Sequence, residues 1–105
     1  MSKKAQINKI TSILSISLRH KIGAIVNSNE LYAQKYSRDA EILFKEAEKL
    51  VLREKWNNKD KTKIKEQLEK KLKKELGEKT FLDNKKFELI SGEIDLAMRL
   101  LGLWG

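Results

Sequence analysis

Apolar residues recur at three- and four-residue steps through most of this chain, the spacing of one face of an α-helix. Over about 4–26 the positions are Ile7, Ile10, Leu14, Leu18, Ile22 and Ile25, with Ile13 and Ile16 widening the face. Asn8, Ser12, Ser15 and Arg19 form its polar row, with Lys9 beside them. A second segment, about 30–56, carries Tyr32, Tyr36, Ala40, Leu43, Ala47 and Leu50. Tyr32 and Tyr36 share this apolar face, which predicts core or partly buried roles. Ala33, Ala40 and Ala47 fall seven apart, so a neighbouring helix can approach closely. The third segment, 61–76, has the stripe Ile64, Leu68, Leu72 and Leu76.

The fourth segment, about 84–101, has two stripes. One is Phe87, Ile90, Ile94, Met98 and Leu101; the other, roughly opposite, is Leu89, Leu96, Leu100 and Leu103. An outer helix of a monomeric bundle needs one. Either this helix is central, or Leu89, Leu96, Leu100, Leu103 and the adjacent Trp104 meet another chain.

Local signals punctuate the pattern. Asn27 and Glu30 have capping-box spacing, Asp60 suits an N-cap, and Gly77 suits a C-terminal stop. Asp83 reads as the last N-cap, with Leu82 and Phe87 placed to form a hydrophobic staple. Strand-like alternation and internal repeats are missing. The expectation is an all-α fold: one helical domain over 1–105, either a four-helix bundle or an irregular four-helix domain.

Composition agrees and narrows the chemistry. The chain of 105 residues has no Cys and no Pro. Disulfides, zinc thiolates and thiol nucleophiles are therefore excluded. No Gly-rich phosphate loop, nucleophile elbow or Glu-x-x-His pair is present, and His20 is the lone histidine. His20, flanked by Arg19 and Lys21, has the makings of a phosphoryl acceptor, but the fuller pattern of phosphotransfer bundles is missing. A boundary-position histidine is the preferred reading. The expectation is a protein that is not an enzyme and uses no cofactor or metal.

No apolar run approaches the ~18 residues of a membrane span, so integral membrane association is not expected. The basic, acid-poor stretch 1–26 has the composition of a transit peptide, yet it also reads as an integral helix; a cytoplasmic protein is the expectation. Its wide apolar face, which could also lie on an anionic membrane, more readily forms core.

Charge is what points to function. The net charge of +8 is uneven: residues 1–26 hold five basic side chains and no acid, and residues 58–79 hold nine Lys against five acids. At 100° per residue, Lys59, Lys63, Lys70 and Lys74 fall in one sector with Gln67, opposite the apolar stripe. Glu66–Lys70 and Glu69–Lys73 have the order that favours helical ion pairs. The row itself contains no acid. Lys9 and Arg19 belong to the first basic block. Together these six residues predict contacts to the backbone of nucleic acid, DNA or RNA, with little sequence specificity and a place in a larger nucleoprotein assembly. A solvated face is the plainer account of the same row. An acidic protein would also suit such a surface. The alternative is a protein–protein interaction bundle, a homodimer, adaptor or immunity-type protein, that uses the second stripe of the C-terminal helix.

Overall fold

In the computed structural model, which describes residues 2–26, 30–79 and 84–103, five helical segments form and no strand occurs among the described residues. They are α1 (Lys3–Val26), α2 (Glu30–Leu52), α3 (Asn58–Gly77), the single turn α4 (Lys85–Glu88) and α5 (Ile90–Leu100). The expected all-α architecture is present. Among the described residues, no helix is long and apolar enough to cross a membrane.

The central element is α1, which packs against α2, α3, α4 and α5. Burying Ile7, Ile10, Leu14, Leu18 and Ile22 accounts for its main stripe. Its position also buries Thr11, Ser15 and Ser17. These hydroxyls donate to nearby carbonyls: Thr11 to Ile7 at 2.9 Å, Ser15 to Ser12 at 2.9 Å, and Ser17 across to Ala40 of α2 at 2.7 Å. A buried hydroxyl without an acceptor would be costly, so these bonds make a central position tolerable.

Cross-helix pairs set the directions. Gln6 meets Glu54 and Ser17 meets Ala40, so α2 runs antiparallel to α1. Lys3 meets Asp60, Lys71 meets Ser12 and Arg19 meets Glu75, so α3 runs parallel to α1. Lys65 pairs with Asp95 at 3.7 Å and Lys86 reaches Lys79, which brings α4 and α5 back along α3. The order is up, down, up, down, with α1 between α2 and α3.

The predicted stripe of α3 is fully realised, with Ile64, Leu68, Leu72 and Leu76 all buried. Its start differs from the expectation. Asn57, not Asp60, is the N-cap: its side chain accepts from the Asp60 N–H at 2.8 Å, and the Asp60 carboxylate accepts from the Asn57 N–H at 3.3 Å. This reciprocal pair is a capping box. The expected second helix, 30–56, ends at Leu52. The Trp56 indole N–H turns back to the Val51 carbonyl at 2.8 Å, which also accepts from the Glu54 N–H at 3.4 Å, so this helix end is satisfied.

The expected helix 84–101 is divided at Leu89. Lys86 is only 3% exposed and donates to the Lys79 carbonyl at 2.6 Å, just beyond the end of α3. That tie fixes the first turn on α3 and rotates Phe87 outward to 44% exposure. The remainder docks Ile90, Ile94, Met98 and Leu101 as expected. The capping signals at Asn27 and Asp83, and the Leu82 half of the staple, lie outside the described residues.

Candidate nucleic-acid interface

Ion pairing divides the cations by helix face. Lys3 of the first basic block lies 2.8 Å from the Asp60 carboxylate and also donates to the Lys55 carbonyl at 2.6 Å. Its ammonium stands 5.0 Å from the centre of a Trp56 ring. The hydrogen bond from Lys3 holds the Asp60 carboxyl below its usual range, outweighing the opposing effect of burial, with the Asn57 N–H and the Lys63 charge acting the same way as Lys3. Arg19 pairs with Glu75 of α3, and Lys21 lies 2.8 Å from Glu93 of α5. Three of the five cations that predicted a polyanion surface thus join α1 to its neighbours.

Lys9 is exposed, and with Gln6, Leu50 and Arg53 it lines a recess on the α2 side of α1. The α3 row stands on the other side of α1. The six predicted nucleic-acid residues therefore do not form one patch. Arg19 is engaged, Lys9 is separate, and Lys59, Lys63, Lys70 and Lys74 remain together.

Those four are all exposed, and none forms an ion pair or hydrogen bond among the described residues. Several of their neighbours on α3 are engaged. Lys73 pairs with Glu69 at 2.9 Å and Lys65 with Asp95. Lys71 donates to the Ser12 hydroxyl at 2.8 Å, and the Gln67 amide lies 3.2 Å from the Thr11 hydroxyl. The expected Glu66–Lys70 pair is not formed among the described residues, so Lys70 keeps its charge free. From Lys59 to Lys74 the row spans 15 residue steps of helix, about 22 Å at 1.5 Å per residue. Its first turn borders a shallow depression lined by Asn58, Lys59, Thr62, Lys63 and Glu66.

A second group of side chains, not read from the pattern, lies where α1, α2 and the end of α3 meet. Arg19 Nη2 is 3.5 Å from His20 Nε2. The His20 ring lies 5.4 Å from the Tyr36 ring, and Tyr36 lies 6.2 Å from Tyr32. Tyr36 is half-buried, whereas Tyr32 is 54% exposed and is not a core residue. Burial lowers the His20 pKa, and Arg19 and Lys79 push the same way against Asp39 and Glu75. Its imidazole is therefore neutral at pH 7. A sequence signal existed: His20 and Tyr36 are equidistant from residue 28 and would meet across any helical hairpin centred there.

The predicted partner stripe is divided. Leu103 is buried in the core and Leu89 packs at its edge. Leu96 and Leu100 are exposed, and they form one wall of a groove of roughly 270 Å3 between α5 and α2. Phe44 and Glu41 line the opposite side, over a floor of Ser17, Leu18, Ala40 and Ala97. Trp104 lies outside the described residues. Among the described residues, no group of three metal-ligating side chains occurs.

Compared with known proteins, the chain matches no family model, no curated protein and no solved structure.

Proposed function

We propose that this chain is a non-enzymatic basic helical module that binds nucleic-acid backbone with little sequence specificity, as a small subunit of a larger nucleoprotein assembly. One observation carries the reading: four lysines on one exposed face of α3 form no ion pair or hydrogen bond among the described residues, while Lys65, Lys71 and Lys73 of the same helix are engaged. Like charges along a helix face repel, so the row does not serve stability. Phosphates at its surface would relieve that repulsion and release counterions.

A salt titration tests it. With four phosphate contacts, log Kd should rise with log salt at a slope of about 3.6 on duplex DNA and about 2.8 on a single strand. Lys63→Ala/Lys70→Ala/Lys74→Ala should reduce that slope by about 2.7 on duplex and about 2.1 on a single strand. Absence of binding to DNA or RNA at about 50 mM salt, where phosphate contacts are strong, would sink the reading.

A second reading has its own observation, the groove between α2 and α5. Its occupant would be a second copy of the chain, because each copy offers both the exposed leucines and the groove that receives them. The lining charges, Lys21, Glu41 and Glu93, are of mixed sign, so two chains of net +8 repel least on this face. Sedimentation should then show a dimer that Leu96→Lys/Leu100→Lys converts to a folded monomer. A wild-type monomer at high concentration discards it.

A further inference from the structure

We infer that the nucleic acid held by this protein is single-stranded, with phosphates along the α3 lysine row and bases against the Tyr32 and Tyr36 rings. The inference rests on the nucleic-acid reading above and names the class of strand.

A chain of contacts links the two surfaces. Lys74 of the row is followed by Glu75, which binds Arg19; Arg19 touches His20, His20 packs on Tyr36, and Tyr36 on Tyr32. Tyr32 is 54% exposed as a residue, so part of its side chain is open to solvent at the surface. An exposed ring backed by two more is a firm surface for a flat, apolar partner, and every nucleobase has such a face. In a duplex those faces are stacked on one another, so the rings add affinity only for a single strand.

Electrostatics assigns phosphate and base to opposite ends of this path. The Glu75 charge is answered by Arg19, while Asp39 and, more weakly, Lys79 act on His20. A carboxylate there repels phosphate and tolerates a neutral base. The strand backbone is thus directed toward Lys70 and Lys74. Neutral His20 takes part as an aromatic ring rather than as a cation.

The test compares four labelled probes of about 16 nucleotides, near the upper site size of small single-strand binders. They are oligo-deoxythymidine, oligo-uridine, a duplex, and an abasic deoxyribose-phosphate strand of equal charge. Both base-bearing single strands are expected to bind at least about fivefold tighter than the abasic strand, the lower end of one stacked base. The duplex should bind no better than the abasic strand. Tyr32→Ala should remove the advantage and Tyr32→Phe should keep it; Tyr32 is exposed enough for both variants to fold, checked by circular dichroism. Equal affinity for the abasic and base-bearing strands, with lysine-dependent binding intact, overturns the inference and leaves the phosphate reading standing. Undiminished preference in Tyr32→Ala overturns the assignment to these rings. Failure of all four probes at about 50 mM salt overturns both readings.

Discussion

A hydroxyl buried between two helices must find an acceptor, and Ser17 shows what that does for this protein. Its Oγ donates to the Ala40 carbonyl across the α1–α2 contact. Ser17→Ala should lower stability by about 1 kcal/mol, the net worth of a buried hydrogen bond, measured by urea denaturation. His20 offers a test by pH. Its folded pKa lies below the ordinary 6.5, so in that window the unfolded chain binds the extra proton. Stability should therefore fall as pH drops through 6.5 and level off below the folded value. The groups that face it are Arg19, Asp39, Glu75 and Lys79. Urea midpoints between pH 7.5 and 5.5 should show the decline, and His20→Gln should flatten it.

Legibility in the sequence varied by element, for physical reasons. In α3 every apolar position repeats at helical spacing and the opposite face is charged, so stripe and row were both readable. In α1 the buried face is wider than its apolar stripe, because Thr11, Ser15 and Ser17 return their hydroxyls to backbone carbonyls. Periodicity ranks such residues as polar and misses that. The end of α2 was misplaced because Trp56 completes the apolar rhythm in sequence while its indole N–H caps Val51 in space. The start of the last helix was rotated because a single lysine, Lys86, takes the inward position expected of Phe87. The lysine row was legible; the loss of Lys3, Arg19 and Lys21 to cross-helix pairs was not, since those partners lie more than 50 residues away. For α3 itself, Leu72→Ala should cost about 2–5 kcal/mol as a core truncation. Asn57→Ala removes one half of the capping box and should cost about 1 kcal/mol. Thermal melts of the two variants should keep that order.

For the whole molecule, the row lines up like charges along one exposed face, where they repel one another. Lys63→Gln/Lys70→Gln/Lys74→Gln should leave the melting temperature unchanged or higher, while nucleic-acid binding weakens. Stability and binding would then move in opposite directions, as expected when a surface is kept for a ligand. A drop in melting temperature would instead mark the row as part of the fold.

The arrangement around α1 has a consequence for amide exchange. Helix α2 has α1 as its one packing neighbour among the described helices, and its buried residues are the small Ala40, Ala47 and Val51. Opening α2 breaks a single interface, that with α1, and uncovers Phe44 and Leu50 with the small buried residues, whereas opening α1 or α3 disrupts the core they share with α5. In heavy water the α2 amides should exchange first, as a cooperative unit of lower opening free energy, with α1 and α3 following at the global rate.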